Sequence, residues 1–304
     1  GGRVTADPRP LRLGSRGSPL ALVQAELVRR AILDRFPDRE VELVVVSTEG
    51  DDDASRPLDA FGGQGVFVKA IEERLLAGDI DVAVHSAKDL AVEDADDLEL
   101  VAFLPREEPH DVLVRRYSGI GLERPGDGFR VATDSSRRRT QLADAWPGAE
   151  FVHVRGNIET RLGKLTAGAA DGLVLAAAGL RRLELSPEGA EPIPVSVCIP
   201  APGQGAIVAQ CRMDDPVATE LRILNHLQTA LAVQTERDMA AALGAGCAMP
   251  LGVYVEFRSG ETRLIAAFHD GQQLHRVSAR SLAGAPHEAV EQAIADLRDM
   301  GVRW

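Results

Sequence analysis

The chain has 304 residues, enough for two or three domains. Its 34 Lys+Arg against 46 Asp+Glu give a net charge of −12, which excludes the positive field that non-specific nucleic-acid or anionic-membrane binding needs. At 45% hydrophobic and 26% charged residues the chain is globular rather than disordered, and at 4% aromatics its cores must be built from Ala, Val, Leu and Ile.

Residues 11–104 alternate strand and helix. Leu11–Leu13 reads as a strand that ends in the polar turn Gly14-Ser15-Arg16-Gly17-Ser18. Pro19 opens a helix to about Phe36, with Leu20, Val23, Leu27 and Ala31 at helical spacing. A β-branched strand follows at Val41–Val46. Next come an amphipathic helix at Val66–Leu76, with Phe67, Ala70, Ile71 and Leu75 on one face, and a short strand at Asp81–His85. This order predicts a parallel sheet with helices on both faces. A second cycle occupies residues 105–199. It has strands at Arg130–Thr133, Phe151–Val154 and Gly172–Ala176, and helices at Ser135–Ala145 and Ile158–Ala167. Ala201-Pro202-Gly203-Gln204-Gly205 breaks the pattern before a strand at Ala206–Cys211. The tail is a small α+β module. It has a helix at Ala230–Leu243, strands at Gly252–Phe257, Arg263–Phe268 and Gln273–Ala279, and a helix at Pro286–Met300. The expected architecture is two periplasmic-binding-protein-like α/β lobes around a cleft, plus a small C-terminal α+β domain. No internal repeat stands out.

The longest apolar run lies within Leu173–Ala178, far short of the roughly 18 residues of a membrane span. The opening GGRVTADPRP lacks the apolar core of a secretion signal. Three cysteines, Cys198, Cys211 and Cys247, have no Cys-x-x-Cys spacing and fit a reducing compartment. A cytoplasmic protein is expected.

Ligands of open α/β sheets bind beyond the carboxyl ends of the strands. Basic groups recur at those ends although the chain is acidic. Arg16 follows the first strand, Ser86-Ala87-Lys88-Asp89 the third, Ser135 to Arg139 the fourth, and Arg155-Gly156-Asn157 with Arg161 the fifth. Arg137–Arg139 open a helix, where cations oppose the macrodipole and a bound anion reverses the penalty. Read alone, the run is also a solvated helix start. Together the clusters point to a polyanionic ligand, since guanidinium forks suit carboxylates and phosphates. Asp89 among cations would stay ionised, fit to stabilise a developing cation or move a proton; it reads equally as a structural salt bridge or cap. Cys247 lies in the loop Gly244-Ala245-Gly246-Cys247, where an accessible thiol is either an attachment point or incidental. Gly62-Gly63-Gln64-Gly65 lacks the Lys-Ser/Thr of a phosphate loop and reads as a hinge or lid. Asp51-Asp52-Asp53 lacks calcium-loop spacing.

The segments LRLGSRGSPLALVQAELV, STEGD, GGQGVFVKAIEERLLAGDIDVAVHSAKDL, SSRRRTQLA, VRGNIETRLGKL, DGLVLAAAGLRRL, PAPGQGA and the Cys247 loop resemble, in this order, the porphobilinogen deaminase (hydroxymethylbilane synthase) family over about residues 11–252. The resemblance implies a transferase of tetrapyrrole (heme) biosynthesis. Such an enzyme joins four porphobilinogen molecules head to tail into hydroxymethylbilane and releases ammonia. It implies a dipyrromethane cofactor held by a thioether to Cys247, with Asp89 as the catalytic carboxylate. Arg16, Ser18, Lys88, Ser135, Arg137, Arg138, Arg155 and Arg161 match positions that hold the acetate and propionate groups of cofactor and substrate. Gln204 matches a hinge-side glutamine. The implied domains are 8–104 with 200–222 (lobe 1, with the catalytic Asp), 105–199 (lobe 2, with the arginine cluster) and 223–304 (carrying the attachment cysteine). The implied partner is a small molecule, with no nucleic acid and no membrane, and the expected state is a monomer.

Several positions depart from the family pattern: Gln64, Ala91, His110, Ala132, Asp134 and Gly244. Asp134 brings negative charge to a carboxylate site. The alternative readings are an organic-anion-binding two-lobe protein and an inactive paralogue, for both of which Cys247 would be unmodified.

Overall fold

A computed structural model describes residues 9–47, 65–93, 95–117, 125–244 and 249–304. In chain order the elements are β1 (Leu11–Ser15), α1 (Pro19–Arg35), β2 (Val41–Val45), α2 (Gly65–Leu76), β3 (Val82–Ser86), β4 (Leu98–Phe103), β5 (Asp111–Arg115), β6 (Arg130–Ala132), α3 (Ser136–Ala145), β7 (Glu150–Val152), α4 (Ile158–Thr166), β8 (Gly172–Ala176), α5 (Ala177–Arg182) and β9 (Ala190–Ile193). They continue with β10 (Ile207–Arg212), α6 (Pro216–Leu221), α7 (Leu227–Ala242), β11 (Leu251–Arg258), β12 (Glu261–His269), β13 (Leu274–Leu282) and α8 (Pro286–Asp299). The chain divides into two compact units, Gly1–Arg106 with Ala206–Ala230, and Glu107–Gly205 with Leu231–Trp304.

The first unit holds a five-stranded sheet in the order β2-β1-β3-β10-β4. β2, β1 and β3 are parallel, whereas β10 runs antiparallel to both its neighbours. Its core is aliphatic, as the composition requires: Leu11, Leu13, Val28, Ile32, Val84 and Ile207. Each such side chain contributes about 1.5–3 kcal/mol when fully buried, which fixes the strand ends that face ligand. α1 starts where the sequence places it. Ser18 Oγ accepts from Ala21 N (3.3 Å), and Pro19 takes a first-turn position that has no N–H to satisfy. The buried stripe of α1 is Gln24, Ala25, Val28 and Ile32, one position away from the expected Leu20–Val23–Leu27–Ala31. Gln24 tolerates burial because its amide donates to Ser86 Oγ (2.8 Å).

The second unit repeats this strand order in its own five-stranded sheet, β7-β6-β8-β5-β9. β7, β6 and β8 are parallel and β5 is antiparallel to β8 and β9. The sheets are therefore mixed rather than parallel. β5 and β10 are the strands that begin each return of the chain without a preceding crossover helix, so strand–helix alternation carries no information on their direction. The likeness reaches single residues. Arg12 at the start of β1 donates to Asp81 through N, Nε and Nη2 at 3.0, 3.1 and 2.8 Å. Arg130 at the start of β6 donates to Asp171 through the same atoms at 2.9, 3.2 and 2.9 Å.

The same unit contains the antiparallel sheet β11-β12-β13, with α8 packed on β12 and β13. The segment 196–200 is tied to it and to α3. Val253 N donates to Pro200 O (2.9 Å), and the Gln141 amide bonds both Ile199 N and Ile199 O (2.7 and 3.0 Å). A Cβ at Gly252 would collide with the Ile199 carbonyl, so this close approach needs glycine.

Candidate functional site

In the first unit, the ends of the adjacent strands β1 and β3 carry four of the residues singled out from the sequence. The guanidinium of Arg16 lies 3.6 Å from the centre of the Phe67 ring on α2, a cation–π contact that orients it. Ser18 Oγ accepts the α1 cap bond with one lone pair, which leaves its hydroxyl proton able to donate. After β3 the chain makes a single 3-10 turn, Ala87–Asp89, that sets Lys88 and Asp89 beyond the sheet. Asp89 Oδ1 is buried and has no hydrogen-bond partner among the described residues. A carboxylate oxygen in that situation calls for an N–H donor or a cation. Behind it, His85 is buried and faces Gln210 Oε1 at 3.0 Å, and Gln210 in turn donates to Glu72 Oε1 (2.9 Å). An amide oxygen only accepts, so His85 Nε2 carries the proton. Burial pushes the imidazole down to about 4, the bond to Gln210 pulling weakly the other way.

In the second unit, Ser135 caps α3 and accepts from Arg138 N (3.3 Å). Arg137 and Arg138 turn inward rather than to solvent. Both grip one fully buried carboxylate, Asp111 at the start of β5: Arg137 Nη2 to Oδ2 at 2.8 Å and Arg138 Nη2 to Oδ1 at 2.7 Å. Arg137 is also bonded to Ile199 O (2.7 Å), Cys198 Sγ (3.3 Å) and Gln204 Oε1 (3.3 Å). Gln204 donates to Asp111 Oδ1 (2.9 Å) and Pro109 O (2.6 Å). Burial alone would raise the Asp111 carboxyl, but the charges of Arg137 and Arg138 override it and hold it well below the usual carboxylate range. Two guanidinium groups against one carboxylate leave this buried cluster at +1.

Arg138 donates through Nη1 to Val174 O (3.1 Å), while its buried Nε has no hydrogen-bond partner among the described residues. Arg161, on α4, adds a further cation. Burial, then the charge of Arg138, push it down to about 10, with Asp134 acting in the opposite sense. A guanidinium shifted this way is short of counter-charge, and an anion between Arg138 and Arg161 would supply it. Arg155 is half-buried at the turn into α4, and its carbonyl accepts from Lys164 Nζ (2.9 Å).

Ser135, Arg137, Arg138, Arg161 and Gln204 thus belong to one cluster, and Arg16, Ser18, Lys88 and Asp89 to another. Asp111 is the member of the first cluster that the sequence reading does not single out. The one available signal was a lone acid opening the wholly apolar run Val112–Val114. Cys198 and Cys211 are buried, and burial lifts their thiols to about 11 and about 12, so neither is a nucleophile. Cys247 and the loop residues Gly62 to Gln64 lie outside the described residues, as does Asp51-Asp52-Asp53. Among the described residues no group of His, Cys, Asp and Glu could hold a metal ion, and no helix is long and apolar enough to cross a membrane.

The fold is that of an α/β protein with basic residues at its strand ends, and its second unit holds a buried excess of cations. The family described as "Porphobilinogen deaminase, dipyromethane cofactor binding domain" matches residues 11–220. A porphobilinogen deaminase of Pelobacter propionicus is 43% identical over 272 residues, 88% of this chain and 87% of that one. The Dichelobacter nodosus protein of the same name is 41% identical over 267 residues (87% and 87%), and that of Geobacter sulfurreducens 39% over 286 (94% and 89%). The chain belongs to the porphobilinogen deaminase family and carries its dipyrromethane cofactor-binding domain.

Proposed function

We propose that this chain is a transferase that condenses four porphobilinogen molecules stepwise into hydroxymethylbilane with release of ammonia, in tetrapyrrole (heme) biosynthesis. The observation that carries the reading is the cation excess of buried Arg137 and Arg138 with half-buried Arg161 against Asp111, together with the buried Asp89 Oδ1 that has no hydrogen-bond partner among the described residues. A dipyrromethane fits both features. Its acetate and propionate groups are counter-charges for such cations, and its pyrrole N–H groups are donors suited to a buried carboxylate oxygen. When bound, it supplies the pyrrole terminus to which substrate units are joined.

Arg138, Arg161 and Arg155, with Ser135 as a hydroxyl donor, and Arg16, Lys88 and Ser18 are the residues that match the family's positions for the carboxylates of cofactor and substrate. Arg137 and Gln204 act mainly by fixing Asp111 and hence Arg138. Asp89 accepts a pyrrole N–H, stabilises the positive charge that grows on the substrate carbon as the amine leaves, and takes up the proton released on joining. Cys247 is the attachment thiol, supported by the inert state of Cys198 and Cys211. The proposed domain division is 8–104 with 200–222, 105–199 and 223–304; each of the three sheets lies within one of these, while the sheets of the last two belong to one compact unit. The reading further takes the protein as a cytoplasmic monomer acting on a small molecule, with neither nucleic acid nor membrane as partner.

Asp89 provides the test. If charge stabilisation and proton transfer together supply roughly 4 kcal/mol, Asp89→Asn lowers single-turnover ammonia release about 10³-fold, while Asp89→Glu retains part of it. An Asn variant as fast as the parent contradicts the assignment, and no ammonia from the parent contradicts the function.

A further inference from the structure

Asp134 places a carboxylate directly before the α3 cap, within the electrostatic reach of Arg161. On the reading above, Arg161 and Arg138 receive substrate or cofactor carboxylates, so an internal carboxylate there is a competitor. The structure holds it elsewhere. Asp134 Oδ1 is 2.9 Å from His153 Nδ1, just beyond β7, and Arg139 Nη2 approaches the same ring, 3.2 Å from Nε2 and 3.5 Å from Nδ1. Nearly equal distances to the two ring nitrogens put the Arg139 guanidinium against the face of the imidazole, whose Nδ1–H is the donor that faces the Asp134 carboxylate. Carboxylate, imidazole and guanidinium thus form one contiguous group. Among the described residues, the titratable and charged groups seen near Asp134 are His153, Arg139 and Arg161.

We propose that His153 is a positioning residue of the anion site: it pins Asp134 toward Arg139 and so leaves Arg138 and Arg161 free for the carboxylates of the ligand. This rests on the proposed function, and it makes Asp134 and His153 a matched pair, the histidine offsetting an acid that departs from the family pattern. His153 is 72% and Asp134 40% exposed, so solvent screens the pair and its influence is modest.

The test is a double-mutant cycle with porphobilinogen as the probe. His153→Leu frees Asp134 and raises KM about two- to fivefold, the range an exposed hydrogen bond supports, with kcat unchanged within twofold. Asp134→Ser in the His153→Leu background returns KM to the value of Asp134→Ser alone, a rescue that a merely structural histidine would not show. An unchanged KM in His153→Leu, or a raised KM that Asp134→Ser does not reverse, overturns the proposal. A second readout needs no turnover. The ¹⁵N shifts of the His153 ring should report a protonated Nδ1 and a lone pair on Nε2, and this preference should vanish in Asp134→Ser. The opposite tautomer in the parent overturns the proposal even if the protein proves inactive, and inactivity alone leaves the ring assignment standing while it removes the function.

Discussion

Asp111 shows how one residue decides what its neighbours can do. Two adjacent arginines at a helix start read as surface charge, yet a single buried carboxylate draws both inward and fixes their planes. The arginines were legible in the sequence because three in a row oppose the α3 dipole. Asp111 was not, since it meets them from a strand 26 and 27 residues away. Asp89 was legible through its place at a strand end, but its orphaned oxygen is a property of packing alone. His85 is a second case in which burial sets chemistry. Its ordinary pKa of 6.5 falls to about 4 in the fold. Between these values the unfolded chain takes up a proton and the folded chain does not. This contribution to stability is therefore complete above about pH 6.5 and is lost as pH falls toward 4, by about 3 kcal/mol. Urea unfolding at pH 7 and pH 4.5 should show a smaller acid loss in His85→Gln than in the parent. Equal losses would mean that His85 is not buried neutral.

At the scale of elements, order was more legible than direction or face. Helix starts at Ser18-Pro19 and Asn157 announce themselves through cap chemistry. The inward face of α1 did not, because LALVQAELV is apolar nearly all round; the Gln24–Ser86 hydrogen bond and the sheet beneath select the stripe. No strand is read from the sequence at β4, β5 or β9, which break the regular strand–helix alternation. Close approaches between elements are likewise invisible to periodicity, and Gly252 is the clearest. Gly252→Ala forces β11 away from the 196–200 segment and should cost about 1–3 kcal/mol, read as a lowered thermal midpoint. Gly163→Ala is the matched comparison. It lies within α4 with open space at its Cβ, and alanine there should stabilise by about 0.5–1 kcal/mol. If both variants behave alike, the tight contact at Gly252 is not a constraint.

At the scale of the whole molecule, the structure contains a duplication that the sequence conceals. The two five-stranded sheets share a strand order, and Arg12–Asp81 repeats as Arg130–Asp171. Few side chains are bound to the shared frame, so aliphatic positions drift while the pairing pattern persists. What differs is the chemistry at matching strand ends: Lys88-Asp89 follows β3, whereas Ala178-Gly179 follows β8. One unit thus holds the acid and the other an inward pair of arginines, within a chain of net charge −12. The account centres on a protein that carries a covalent two-pyrrole group and extends it. Intact mass of the purified chain, followed by peptide mapping, tests this most directly. The account predicts a mass above that of the 304 residues by one dipyrromethane, located on the peptide containing Cys247 and absent from Cys247→Ser. An unmodified chain, or the addition on Cys198 or Cys211, would contradict it.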